Sequence, residues 1–206
     1  MSPGPETWLR TDGPRVIHIR DRAGDVLDHT GHHVRGHAGV DLVDVTLIAD
    51  VSGLTVVFTC HGNIPASSGP GGFGPDEKHD ELLWEAAFWF TGNIDDARRY
   101  FQLRASLIGT AWQGGIFISV GSTQGFFKLT SVPIRKRDEI IFFVPWSKPV
   151  TSTKVNGAVV TLPRLPKRVF VSAGTSWDFF SPPGDLSDTN GGDKAPDADK
   201  RAEFSF

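Results

Sequence analysis

"DLVDVTLIADVSGLTVVFTC", Asp41 to Cys60, is the stretch whose reading decides the fold. It holds two runs rich in Val, Leu, Ile and Thr, Leu42 to Ala49 and Leu54 to Cys60. In "LTVVFT" the apolar side chains fall on one face and Thr on the other, the period of two that a half-buried strand requires. "FFKLTSV", from Phe126, repeats the pattern with Lys and Thr on the polar side.

Working outward, 23 Gly and 14 Pro are spread between short segments of Val, Ile, Phe, Thr and Trp, which is the punctuation of a strand-rich chain. Further strands are expected at Arg15 to Arg20, Leu82 to Phe90, Tyr100 to Ala105, Gly115 to Val120, Gly125 to Leu129, Glu139 to Val144, Ala158 to Leu162, Arg168 to Ser172 and Ala202 to Phe206. Only "NIDDARRYF" suits a helical turn, with Asn93 as its N-cap. About eleven strands in 206 residues predict one all-β domain spanning 1–206, an antiparallel two-sheet sandwich of jelly-roll type or a closed barrel. Two segments interrupt it. "NIPASSGPGGFGPDEKHD", 63–80, reads as a long flexible loop, either a solvated hairpin loop or a flap carrying Phe73 over a pocket. The segment 181–200 reads as an acidic loop.

With 39% hydrophobic and 22% charged residues, the composition is that of a soluble globular protein. No apolar run approaches the roughly 18 residues of a membrane helix, so the chain is not expected to span a membrane. A formal net charge of -3 and one short basic cluster, Arg135 to Arg137, argue against a nucleic-acid partner. Cys60 is the sole cysteine, which excludes an internal disulfide and a thiolate zinc finger. "MSPGPETWLR" lacks the apolar core of an export signal. A full-length chain is then expected in the cytoplasm and a mature or trimmed one outside the cell, and the sequence leaves the two open.

Aspartates gather near both ends: Asp21, Asp25 and Asp28 in "DRAGDVLD", then Asp185, Asp188, Asp193, Asp197 and Asp199. First and last strands of a sandwich often lie side by side, so the two loops are able to meet. Asp21, Asp25, Asp193 and Asp197 are then candidate ligands for Ca²⁺, which takes six to eight oxygens from carboxylates, carbonyls and water. The plainer reading is that Asp and Gly are good turn formers, and the spacing matches no EF-hand loop.

Several of these segments carry a resemblance. "DRAGDVLD…DLVDVTLIADVSGLTVVFTCHGNIP", "RRYFQL", "IIFFVPWS" and "DKAPD…AEFSF" resemble the DOMON-like superfamily of β-sandwiches, which includes the family-nine carbohydrate-binding modules. The likeness leaves 63–80 unmatched. It implies a jelly-roll-like sandwich, a structural calcium near the chain ends and a surface for sugar or haem. Haem-binding members use Met and His as axial ligands. Met1 is the single methionine here, so haem is not expected, and no glycine-rich phosphate loop points to a nucleotide.

Six Trp and 15 Phe supply stacking surfaces. Trp112 in "GTAWQGG" and Trp177 in "GTSWDFF" sit beside turn glycines, where a side chain can stand clear of the sheet, and form the candidate sugar platform with Trp84 and Phe73 as further ligand contacts. Each is otherwise an aromatic plug of the core. Trp84 and Trp89 should point to opposite faces of their strand, one of them inward. His29, His32, His33 and His37 fall in a glycine-interrupted loop with no metalloprotease spacing. Cys60 and His61 diverge on a strand, and no nucleophile elbow is present. The acids Asp76, Glu77, Asp80, Glu81 and Glu85 leave a glycosidase pair open.

Two functions follow. The first is a non-catalytic ligand-binding module for carbohydrate. The second is a small enzyme, a cyclase or isomerase acting by preorganising an apolar substrate under the 63–80 loop. A partner-binding domain, homodimeric through an edge strand such as Arg15 to Arg20, ranks third.

Overall fold

The computed structural model describes residues 13–28, 32–33, 37–68, 81–93, 95, 99–120, 123–129, 132–145, 152–155, 158–161, 168–178, 191–195 and 201–205. In chain order the strands are β1 (Arg15–Arg20), β2 (Leu27–Asp28), β3 (Leu42–Ala49), β4 (Gly53–Cys60), β5 (Glu81–Trp89), β6 (Arg99–Ile108), β7 (Ala111–Val120), β8 (Thr123–Lys128), β9 (Ile134–Arg135), β10 (Glu139–Pro145), β11 (Ser152–Val155), β12 (Ala158–Thr161), β13 (Arg168–Asp178), β14 (Gly191–Ala195) and β15 (Ala202–Ser205). There is no helix among the described residues, so none is long and apolar enough to cross a membrane.

Two antiparallel sheets pack face to face as a sandwich and do not close into a barrel. Sheet A has the order β1-β3-β4-β10-β9; sheet B runs β2-β14-β13-β5-β6-β7-β8, with β15 beside the first half of β13. A separate hairpin pairs β11 with β12. The Asp41 to Cys60 stretch is the β3–β4 hairpin. Asp50 turns it, its carboxylate accepting from the Ser52 and Gly53 amides and the Ser52 hydroxyl, which hold its pKa below the usual value.

Alternation then builds the core. Leu42, Val45, Leu47 and Ala49 of β3, Leu54, Val56 and Phe58 of β4, and Ile140 and Phe142 of β10 face Leu82, Trp84, Ala86 and Phe88 of β5 and Leu103, Ala105 and Leu107 of β6 in one buried cluster. The cluster reaches from Ile19 to Phe204.

The eleven expected strands are all present, with two differences that matter for function. β13 does not stop at Ser172 but continues through Gly174 to Asp178, and β7 begins at Ala111. Trp177 and Trp112 therefore lie inside strands, not on turns. Second, 191–195 of the expected acidic loop form β14, which pairs with the far half of β13. "GGDKA" carries no alternation to announce a strand. Its backbone fit does the work, because a methyl group on Gly192 would overlap the Thr175 carbonyl oxygen. Gly192→Ala is therefore expected to push β14 off β13 and cost roughly 1–3 kcal/mol, read as a lower urea midpoint. An unchanged midpoint would show that the two strands tolerate a wider spacing.

At the expected helical turn, the Asn93 side chain accepts the Asp95 amide in an Asx turn, and β6 starts at Arg99; 94 and 96–98 lie outside the described residues. Of the 63–80 loop, 63–68 are described. This part is fixed by Ser68, whose amide donates to the Gly109 carbonyl while its hydroxyl accepts the Gly109 amide.

Candidate functional site

Two places concentrate chemistry. The first is the junction where the chain's early and late segments meet. After β1, the "DRAGD" turn uses Gly24 at φ 89°, a backbone state that suits glycine, to bring Asp21 and Asp25 to one side. β14 delivers Asp193 from the other end of the sequence. One carboxylate oxygen of each lies within 4.8 Å of the others. Oxygens that ligate one ion at about 2.3 to 2.6 Å stand at most roughly 5 Å apart, so the three fit a shared Ca²⁺.

The surroundings make this cluster costly without a cation. Asp193 is 6% exposed. Its carboxylate accepts the amides of Leu42 and Lys194 at 2.7 and 2.8 Å. Burial, with the charges of Asp25 and Asp41 added, pushes its pKa up to about 7 against those two hydrogen bonds. Asp41, 3% exposed, accepts the Gly24 amide at 2.7 Å on Oδ2, the oxygen that also faces His61 Nδ1 at 3.3 Å. Its Oδ1 is buried with no hydrogen-bond partner among the described residues. The same junction locks the sheets together: the Thr175 hydroxyl donates to the Val40 carbonyl and accepts the Asp193 amide, while Leu42 of sheet A donates to Asp193 of sheet B.

The raised pKa sets a sign. Between about pH 4 and 7 the folded metal-free protein holds a proton on Asp193 that the unfolded chain has lost, so stability from this group is full below pH 4 and drains away toward 7. The melting temperature in EDTA is expected to fall across that window, and Asp193→Asn to flatten the slope. A slope that persists in the Asn variant would assign the titration elsewhere.

Three of the four expected ligands thus come together; Asp197 lies outside the described residues, as do Phe73, Asp76, Glu77 and Asp80. Asp41 and His61 join the junction without having been anticipated. Asp41 sits among apolar residues at the head of β3 and reads in sequence as an ordinary strand-start aspartate. His33 bridges Leu27, and His37 is buried with its ring stacked on Trp177 at 4.7 Å. His29 is outside the described residues.

The expected Trp platform is not formed. Trp177, Leu82, Leu107 and Trp112 occupy one row across β13, β5, β6 and β7 on the inward face. Trp177 is 4% exposed under His37, and Trp84 is fully buried. Trp112 packs half-buried on the core, its ring 5.5 Å from that of Trp84. Strand alternation, continued through positions read as turns, turns these indoles inward. Trp89 does point away from Trp84, donating from Nε1 to the Ser172 hydroxyl under the Arg201 guanidinium.

The second place is the outer face of sheet B. Leu83, Ala87, Gln102 and Ser106 are buried there although they lie outside the core cluster. Gln102 donates from Nε2 to Glu85 Oε1 and accepts from Arg104 Nη2, both at 3.1 Å. Arg104 Nε lies 3.3 Å from Glu85 Oε2, and its guanidinium rests 4.2 Å above the Phe117 ring. The Glu85 and Arg104 side chains, 27% and 28% exposed, reach solvent. The result is a hydrogen-bonded polar group beside an aromatic ring. Glu85 is thereby engaged by a cation. Cys60, opposite His61 in direction, is buried and its thiol is pushed up to about 12, chiefly by burial, so it is no ready nucleophile.

Comparison of the chain with models of known protein families, with curated proteins and with solved structures gives no match in any of the three.

Proposed function

We propose, from geometry, that the protein is a non-catalytic carbohydrate-binding module of the β-sandwich class whose two sheets are tied near the chain ends by Ca²⁺. The observation that carries the ligand reading is the outer face of sheet B, where the Glu85–Gln102–Arg104 group lies among Phe117 and Phe126. Polar groups linked to one another by hydrogen bonds and an ion pair, beside aromatic rings, suit a ligand with hydroxyls at its edge and an apolar ring face. The strand pattern's resemblance to the DOMON-like sandwiches points the same way. For the cation, the support is the convergence of Asp21, Asp25 and Asp193 beside the buried Asp41.

The reading assigns no catalysis to the described residues. A cyclase or isomerase would need a pocket roofed by 63–80, of which 69–80 lie outside the described residues. Pairing of two copies through β1, an edge of sheet A, would set Arg15 opposite Arg20 in an antiparallel register centred on Ile17 and His18, which like charges oppose. Affinity electrophoresis against a panel of soluble polysaccharides tests the function. At least one is expected to retard the protein and to be recovered unshortened. Retardation by none, or shortening of the polysaccharide, would refute the module.

A further inference from the structure

The registers of sheet A set its outward side chains in three rows across β1, β3, β4 and β10. In the first, Val16 is level with Ile48, Ile48 with Thr55, and Thr55 with Phe143. The middle row runs His18, Thr46, Val57 and Ile141, and β9 extends it with Ile134. The third is Arg20, Asp44, Thr59 and Glu139. Residues between the rows, such as Ile19, Val45, Phe58 and Phe142, belong to the core, so the rows stand on the face turned away from sheet B.

This face is open. None of the residues in the three rows is buried. Val16 is 47% and Ile134 60% exposed, and Ile48, Val57 and Ile141 between them also reach the surface. The first two rows are thus made mostly of aliphatic side chains and threonine methyls, and the third carries charge at both ends. An apolar patch with a charged border is the make-up of a surface that meets another protein. Four strands about 4.8 Å apart and rows about 6.8 Å apart give a patch of roughly 20 by 20 Å, so two such faces in contact bury about 800–1,000 Å², the small end of what a specific dimer uses.

We infer that this face joins two copies of the chain in a weak dimer, sheet A against sheet A, about a twofold axis parallel to the strands and between β3 and β4. The charged row selects that axis. It lays each row on the same row of the second copy in reverse strand order, so that Arg20 faces Glu139 of the partner subunit, Glu139 faces Arg20 of the partner subunit, and Asp44 faces a threonine hydroxyl. An axis along β4 would instead oppose Asp44 and Glu139, and one perpendicular to the strands would lay the charged row on Val16 and Phe143. Packed sheets are turned by about 30°, an offset that the long Arg and Glu side chains can span. Glu139 has Lys136 within 3.9 Å in its own chain, at the edge of the salt-bridge range, which leaves its carboxylate able to take a closer cation. Pairing through the β1 edge opposes like charges; pairing through the face joins unlike ones. Sheet B of each copy stays outermost, so the dimer does not depend on the carbohydrate-binding reading.

The test is sedimentation velocity of the full chain with Ca²⁺ present, over about 1 to 200 µM, a range that brackets the affinity of a small interface. The parent protein is expected to move from 22.4 kDa toward twice that mass as concentration rises. Val57→Lys, which sets a charge in the middle of the face, should stay monomeric throughout. Arg20→Glu and Glu139→Arg each oppose like charges twice across the axis and should weaken association at least tenfold. An equal mixture of these two variants should associate as tightly as the parent, because both contacts then join unlike charges again. Within one chain the two residues stand three strands, roughly 14 Å, apart, so this rescue reports a contact between copies. Melting temperatures within about 2 °C of the parent in dilute solution would show that the variants fold, and the two charge variants decide the matter even if Val57→Lys does not. A mass of 22.4 kDa at every concentration, a dimer that survives Val57→Lys, or a mixture no tighter than its components would each overturn the dimer. Retention of a polysaccharide by a protein that stays monomeric would overturn it while leaving the carbohydrate-binding reading in place.

Discussion

Ca²⁺ added to EDTA-treated protein at neutral pH is expected to raise the melting temperature by roughly 5–10 °C. A ligand that binds only the folded state contributes about 2.7 kcal/mol at a hundredfold excess over its dissociation constant. For a domain of this length each kcal/mol is worth roughly 2–4 °C. The ion would offset the cost that burial and neighbouring charge impose on Asp193, so its effect should grow with pH as the carboxylates ionise. Asp193→Asn keeps an oxygen for the Leu42 amide but removes the charge. It should melt at or above the parent's EDTA value at neutral pH, since it is spared the cost of ionising Asp193, and no longer respond to Ca²⁺. Mg²⁺, which demands tighter octahedral geometry, should substitute poorly. A parent protein whose melting curve is indifferent to Ca²⁺ would remove the ion from the account.

Trp84→Ala is expected to do more damage than any ligand can repair, costing about 3–5 kcal/mol. That is a large share of the roughly 5–15 kcal/mol that holds a domain folded. Trp84 is fully buried between Thr175 and Ala105 on neighbouring strands, leans on Trp112 and lies against the Cys60 thiol. Removing the indole empties the middle of the sandwich, where strands held by two ladders have little room to close in. Two measurements check this. The urea midpoint should fall with an unchanged slope, and Cys60, inert in the parent, should react with a thiol reagent through the space left behind. A loss under about 1 kcal/mol with Cys60 still protected would mean that the core repacks around the gap.

The strands that alternation announces are those that bury one side chain in two against the opposite sheet, as β3, β4 and β10 do. Their legibility follows from that burial. β14 is held by ladder hydrogen bonds to β13 and by the lack of a side chain at Gly192, neither of which leaves a hydrophobic signature. Misreading Gly174 as a turn had the further effect of freeing Trp177, which the continued strand in fact turns inward. At the junction, Asp21, Asp25 and Asp193 were readable because loops rich in Asp at both chain ends suggest a meeting point. Asp41 was not, since its role depends on Gly24 and His61, brought to it by the fold alone.

Leu42 and Asp193, whose hydrogen bond helps close the junction, are separated by 151 positions along the chain. During synthesis the β3–β4 hairpin can form soon after it leaves the ribosome, but the amide of Leu42 must wait for its acceptor until 151 further residues have been made. Throughout the synthesis of that interval the nascent chain has one border of the forming sandwich unfinished. Pairing of adjacent hairpins should be early and fast, and closure of this seam the last and slowest event, since contacts between distant parts of a sequence are the slowest to form.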